Sequence, residues 1–548
     1  MGHVLDQSPS LRSSVIQVNS SRPRFSSIEP PPTPEDVVFL CQALDGDHDQ
    51  HAMGEGYDAP PRLRRIRDKC MTREQGLFIN ECVRSIDNKV LWRVALYPVT
   101  PTSKNRDKPV FVVVASIHHL LTDGKGAFNI FHALLSHRAP PMDSPHFPLV
   151  SDIIFDINVP PQPDPRLDEE TKAAPVWPTA VLSNLLACPN GLRTIDFDSA
   201  FTPRLKSVGI AHGVKTLHPI LETAVIFALS LAIDHERLLE LQSDADPVLE
   251  PSHAIASSTA ISLRGSVAEH GHYGGNYVGG RSAKTLCRPH LRFWSHASHI
   301  ATQLGAPSTL KSAISMWKGV IALPSSTGAA LVPEERDALD GEVLEADGWT
   351  PFIADRVAQT PTISTILSSV GLSNLGFFPL DHYDDDDGDD ETAAPLGGRK
   401  KALFTVSDCA WTQTSSPIAD AIIVNIVGCG LTVRQPQPSS TIAKKESQAQ
   451  EREQEQDALA DGSTGASTAA ALSSDTTSTN PTRPLLSRAT PSVGGLSFGL
   501  SYRRGGVDEA ILVRFQDFLG RLLGLLAEGQ VGEEEDVHSI WRLLTRED

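Results

Sequence analysis

Hydrophobic residues fall into short alternating or continuous runs separated by longer helical patterns. The clearest passage is Phe111–Leu135, FVVVASIHHLLTDGKGAFNIFHALL. Phe111 to Ile117 is an apolar, β-branched run bounded by polar residues, the pattern of a buried strand. Phe128, Phe131, Leu134 and Leu135 then recur at helical spacing, which predicts a helix. Upstream, Leu91–Tyr97 places Leu91, Val94 and Leu96 as a second strand, hairpin-like beside the first across a polar loop. His118, His119, Asp123 and Gly124 therefore lie at the mouth of a strand-to-helix turn, where a rigid scaffold holds loop residues in place.

The rest of the chain follows the same alternation. Residues 1–61 are weakly patterned. Residues 140–178 are proline-rich, read as a linker-like crossing between an N-terminal region, 1–178, and a C-terminal region, 179–548. Beyond it the pattern predicts a strand at Arg193–Phe197 and a short helix at Thr202–Val208. A long, mostly buried helix follows within His212–Asp234, with Thr216 as cap and Pro219 in its first turn. A strand run at 254–267 carries Arg264. Tyr273–Gly280, YGGNYVGG, reads as a tight turn or a close backbone approach; it lacks the ending of a nucleotide-binding loop. Helices are expected at Leu291–Leu304 and Leu310–Leu323. A short strand then leads to a Ser373–Gly376 loop, and strands follow at Ala402–Val406, Ala421–Val427 and Leu496–Tyr502. The last long helix is Ile511–Leu526. Residues 381–399 form an acidic insertion. Residues 435–489 are polar, carry few large apolar side chains, and are expected to be a disordered insertion.

Composition narrows the function classes. The net charge of -19 argues against nonspecific nucleic-acid binding, which needs cationic surface. The seven cysteines form no Cys-x-x-Cys pair, which argues for a reducing compartment and against a zinc ribbon. Neither a secretory leader nor a membrane span is evident, so a soluble cytoplasmic protein is expected.

An imidazole at the turn can take a proton from an attacking alcohol or amine. Asp123 can cap the helix or pair with a cation, and Gly124 permits unusual backbone angles. On residues alone, Asp123 as a simple cap, His118 as a packed strand-end residue and a metal site remain alternatives, although no ligand cluster of recognisable spacing completes the last.

The full His-His-x-x-x-Asp-Gly string after a strand resembles the signature of the acyltransferase superfamily with the chloramphenicol-acetyltransferase fold. That family includes peptide-synthetase condensation domains and fungal alcohol acetyltransferases, and the latter are the nearer likeness. The resemblance spans about Leu91 to Leu526 without the two insertions. It implies an α/β fold of two subdomains, each a mixed sheet flanked by helices, arranged as a V around a central tunnel. It implies His119 as the catalytic base, with His118 and Gly124 flanking it. Asp123 is then a mainly structural residue paired with Arg264. Asn276 falls in the family's Gly-Asn turn and is expected to bind substrate. Ser373 and Asn374 fall in its Ser-Asn-x-Gly loop, either as donors to a thioester carbonyl or oxyanion or as a structural Asn turn. The expected reaction moves an acyl group, acetyl included, from acyl-CoA as co-substrate to a small alcohol or amine. No tightly bound cofactor and no metal are expected, and one chain holds a complete site, so a monomer is expected. A noncatalytic binding or scaffold protein, and a condensation enzyme using a carrier-bound donor, are the alternatives. No adenylation or carrier-protein pattern flanks the region, so a full synthetase module is not expected.

Overall fold

The computed structural model describes residues 4–5, 8–16, 24–43, 60–84, 88–100, 109–135, 168–179, 189–240, 251–264, 275–321, 368–379, 406–415, 419–430 and 494–545. Both insertions, residues 140–167 of the proline-rich crossing and nearly all of the Ala402–Val406 strand lie outside them.

Eleven strands are described. Two short ones, β1 (Ser13–Ile16) and β2 (Arg24–Ser27), form an antiparallel pair. A three-stranded sheet joins β3 (Val38–Leu40), β4 (Trp92–Val99) and β5 (Val110–Ile117), in that order. Antiparallel pairing of β4 with β5, Trp92 opposite Ile117, is the hairpin expected from the sequence. The parallel neighbour β3 was not legible: it is three residues long, with Phe39 and Leu40 exposed.

The larger sheet contains β6 (Asn190–Asp198), β7 (Ile255–Ser262), β8 (Val278–Thr285), β9 (Ser368–Pro379), β10 (Asp420–Gly430) and β11 (Gly494–Arg503). Their order is β6-β11-β10-β9-β7-β8. Strand β9 runs parallel to both β10 and β7, whereas the other pairings are antiparallel, so the sheet is mixed. Helices flank both larger sheets, giving the mixed α/β class expected from the sequence.

The Leu217–Glu240 helix packs on the large sheet beside the Phe293–Gly305 and Glu509–Ala527 helices, within one apolar cluster. Its interior residues Ile226, Phe227 and Leu229 are fully buried, each contributing about 1.5–3 kcal/mol by leaving water. This helix is long and apolar enough to cross a membrane, but 83% of the relevant window is buried within the protein. It is a core helix in this fold.

Two sequence expectations change. Of the two readings given to the glycines of Tyr273–Gly280, the tight turn fails at Val278-Gly279-Gly280, which opens β8, and the close backbone approach holds there. A Cβ on Gly279 would lie 2.5 Å from the Ala313 carbonyl oxygen, so glycine admits the Pro307–Ile321 helix close to the strand. The Ser373–Gly376 segment is not a loop after a short strand; it lies inside the 12-residue β9. Pairing shifts register there: Asn374 faces Ile426 and Phe377 faces Gly428, so β9 carries one extra residue. Gly376, at φ +83°, absorbs this bulge.

Candidate active site

The His turn is completed by backbone from a segment more than 150 residues further along the chain. The Asp123 N–H donates to the Gly275 carbonyl at 3.2 Å, and the Gly275 N–H donates to the Leu121 carbonyl at 3.1 Å. A parallel bridge pairs Thr122 with Gly275.

Asp123 lies at the centre of this junction and is 3% exposed. Its Oδ1 accepts from the Gly126 N–H at 2.8 Å, which fixes the first turn of the Gly124–Leu135 helix, and from Arg264 Nε at 3.0 Å. Its Oδ2 accepts from the Tyr277 N–H at 2.8 Å. Arg264 also donates through Nη2 to the Gly275 carbonyl at 2.8 Å, and its guanidinium lies over the Tyr277 ring. Asp123 is thus both a cap and half of a buried ion pair. The predicted partner Arg264 stands just past the end of β7.

The two histidines have different surroundings. His118 is half-buried, and its backbone N–H donates to the Leu91 carbonyl at 2.8 Å. Its Nδ1 accepts from the Leu120 N–H at 3.2 Å. Burial, with neighbouring His119, holds its pKa below the ordinary histidine range, which favours the neutral ring. His119 is exposed. Asn276 Nδ2 donates to the His119 carbonyl at 2.8 Å and lies 3.1 Å from Nδ1 of the same residue. The predicted substrate-binding amide is therefore engaged with the candidate catalytic histidine itself.

Strand β9 brings a second wall to the turn. A Cβ on Gly124 would sit 3.0 Å from Leu375 Cδ2 and 3.2 Å from the Trp411 ring, so a larger residue would push the strand away. Lys125 donates to the Leu375 carbonyl at 3.1 Å and lies 4.4 Å from the centre of the Phe128 ring. Burial, then the nearby Arg264, depresses its pKa, with Asp123 opposing them. Phe128 and Phe131 pack on Phe378 of β9.

Alternation along β9 separates the two predicted donors. Ser373 is buried, and its Oγ accepts from Gln413 Nε2 at 3.4 Å, on the side where Leu375 meets Gly124. Asn374 turns the other way. Its Oδ1 accepts from the Gly376 N–H at 2.9 Å, and its Nδ2 is 3.4 Å from His218 Nδ1. Ser373 and Asn374 do not share one face.

The sequence reading missed what lies behind Asn374. His218 Nε2 is 3.4 Å from Glu222 on the next turn of the same helix. Fully buried Glu222 also meets Arg281 at 3.0 Å, Ser257 at 3.1 Å and Thr259 at 3.2 Å. Burial raises the Glu222 pKa, but His218, Arg281 and Ser257 overcome it and hold the group at about 2. The i,i+4 spacing of His218 and Glu222 was the available signal. Their meeting with β7 and β8 is a matter of sheet register, in which Thr259 faces Arg281. Gln413 and Trp411 were missed because the 406–415 segment has no periodic pattern.

A second polar junction joins other parts of the chain. Arg67 of the Pro60–Arg84 helix donates to Asp196 of β6 at 2.9 Å and to Asp408 at 2.7 Å. It ties three distant stretches of chain together. Among the described residues no group of three or more His, Cys, Asp or Glu could hold a metal ion.

No family model matches the chain. No curated protein matches it either. Among solved structures, similarity is found to the first condensation domain of the CDA synthetase. The identity is 12% and the TM-score 0.42, covering 98% of this chain and 87% of that one. The epimerization domain from the third module of tyrocidine synthetase B matches at 11% identity and TM-score 0.40, covering 97% and 88%. The condensation domain from the Monacolin K polyketide synthase MokA matches at 10% identity and TM-score 0.40, covering 96% and 88%.

Proposed function

We propose that this protein is an acyltransferase that moves an acyl group from acyl-CoA to the hydroxyl or amine of a small acceptor, with His119 as general base. One observation carries the reading. The turn bearing His119 is locked from beneath by a fully engaged, buried Asp123, while the imidazole stays exposed to incoming molecules. Such a lock holds a reactive group in geometry before substrate arrives. Asp123 accepts from Gly126, Tyr277 and Arg264, so its part is to hold the turn and not to carry protons.

In the reaction the acceptor oxygen or nitrogen attacks the thioester carbon as its proton passes to His119. The carbon–sulfur bond then breaks, and the departing thiolate takes the proton from the imidazolium. No acyl-enzyme is required, and the two substrates meet in a tunnel between two arms of a V. Ser373 is the better placed of the two hydroxyl and amide donors to meet the developing oxyanion, because it shares the Leu375 face toward Gly124. Asn374 instead supports the bulge.

The test is thiol release from acetyl-CoA and longer acyl-CoAs with a panel of alcohols and amines, wild type beside His119→Ala. Release that needs both His119 and an acceptor is expected. Release unaffected by His119→Ala would remove the base assignment. Release only from acyl-carrier-protein donors, included as a separate arm, would replace the CoA donor by a carrier-bound one.

A further inference from the structure

Asp420, at the start of β10, is a carboxyl group that the acyl-transfer chemistry leaves unused. Its Oδ1 accepts from the Ser258 hydroxyl of β7 at 2.7 Å and from the Ser368 hydroxyl of β9. Oδ2 takes no hydrogen bond, and no lysine, arginine or histidine among the described residues pairs with the group. Oδ2 is not sealed in and stays within reach of solvent. Gly371 of β9 makes the room for it, since a Cβ there would collide with the carboxyl. Burial raises the pKa of Asp420, with Ser368 and Ser258 opposing. The group thus lacks the cation that a largely buried carboxylate ordinarily has.

Strand alternation places this carboxyl on the same face as the His turn. Ser257 and Thr259 meet Glu222 on the helix-packed face of β7, so Ser258 between them, and Asp420 with it, lie on the other. On that face Ala260 and Ser262 are exposed, and they pair with Gly280 and Val278 of β8. Beyond Val278, Tyr277 packs inward with Leu263 and Ala313, and Asn276 turns outward to His119. Ser282 lies opposite Ser258. From there back to Asn276 the chain advances about 20 Å, at 3.3 Å per residue.

We propose that Asp420 anchors a cationic amine of the acceptor, so that the acceptor is an extended chain with an ammonium at one end and the hydroxyl or amine to be acylated at the other, as in a polyamine or a long amino alcohol. The inference rests on the acyl-transfer reading and adds the acceptor class. Oδ2 accepts from the ammonium, whose charge supplies the missing partner. The chain lies along the open face of β7 and β8, where Ala260, Ser262 and Gly280 leave a low floor, and its other end reaches His119. A chain of the same length with a neutral, apolar far end leaves Oδ2 unpaired and is the poorer acceptor.

The test compares acylation of α,ω-diamines of increasing length with that of monoamines of matched length, by wild type and Asp420→Asn, with thermal melts alongside. In the wild type, kcat/KM for a long diamine should exceed that for its matched monoamine by about tenfold or more, the factor a charged hydrogen bond supplies. Short diamines, which cannot span from His119 to Asp420, should show no such advantage. Asp420→Asn should erase the advantage by raising KM for the long diamine and leave the monoamine unchanged. Equal rates for the long diamine and its monoamine in the wild type, or equal losses for both in the variant, would overturn the proposal. The wild-type length dependence decides even where the variant does not fold. Calorimetric titration of the long diamine into the protein without acyl-CoA gives a readout free of turnover. Binding that needs Asp420, with no His119-dependent transfer to any acceptor, would overturn the acyl-transfer reading and keep the amine site. No binding, with monoamines still acylated, would overturn the amine site and keep the reaction.

Discussion

Removing the cation beneath the His turn gives the sharpest test of the lock. In Arg264→Met a side chain of comparable length remains, but Asp123 loses its charged partner. The carboxylate is 3% exposed and keeps two backbone donors, Gly126 and Tyr277, each at 2.8 Å. Breaking a buried ion pair by deleting one partner costs about 3–5 kcal/mol, and the two remaining donors place this case near the lower end, about 3 kcal/mol. The reciprocal Asp123→Asn leaves Arg264 with the Gly275 carbonyl and sets an amide N–H against a backbone N–H, at a similar cost. The double variant removes both charges, so its loss should fall short of the sum by about 2 kcal/mol. Urea unfolding followed by tryptophan fluorescence at pH 7 reads this directly. With a slope of about 3 kcal/mol per molar, each single variant should shift its midpoint by about 1 M. Strict additivity, or single variants indistinguishable from wild type, would refute the coupling.

Three other predictions follow from the same geometry. His119→Ala should lower turnover by about 10²–10⁴-fold, yet leave the melt unchanged because the side chain is exposed; a shifted melt would mean a structural part. Gly376→Ala meets no atom within 4 Å, so its cost is the positive φ alone, about 1–2 kcal/mol in urea unfolding; a neutral result would exclude the left-handed bulge. Burial pushes the His296 pKa down to about 4, so the folded state resists a proton that the unfolded chain accepts near the ordinary 6.5. Stability from this residue is therefore complete above pH 6.5 and lost as pH falls toward 4, by about 3 kcal/mol. His296→Leu should flatten that part of the urea-midpoint profile relative to wild type, and parallel profiles would contradict it. Asp408 and Asp420, whose pKa values burial raises, act in the opposite sense but are common to both proteins.

The elements that the sequence made legible are those whose burial is written in their own periodicity. The Phe111–Ile117 strand and the helix through Phe128 and Phe131 follow from apolar spacing, and the Arg264–Asp123 pair follows from the motif resemblance. Strand β3 was hidden because its exposed Phe39 and Leu40 give no inward pattern. Glycines obscured β8, since Gly279 serves a helix contact instead of strand propensity. The sequence placed Asn276 near the site but could not show that its amide meets His119 in place of substrate. Nor could it show that Ser373 and Asn374 face apart, because the segment reads as a loop until the pairing of β9 with β10 is seen. His218, Glu222 and Arg281 are spread over 64 positions, and only sheet register brings them together.

The bridge from Gly275 to Leu121 and Asp123 makes the signature a composite object. A fragment ending before Arg264 contains every letter of His-His-x-x-x-Asp-Gly, yet lacks the guanidinium and both backbone partners that shape it. Grafting the seven residues onto another strand-to-helix turn would transplant the letters without the shape. Conversely, separately produced fragments that bind one another and restore this bridge would regain the turn without a continuous chain. The unit that inheritance must preserve is a pairing between two distant stretches, and drift in the 275–277 segment can silence a motif that has not itself changed.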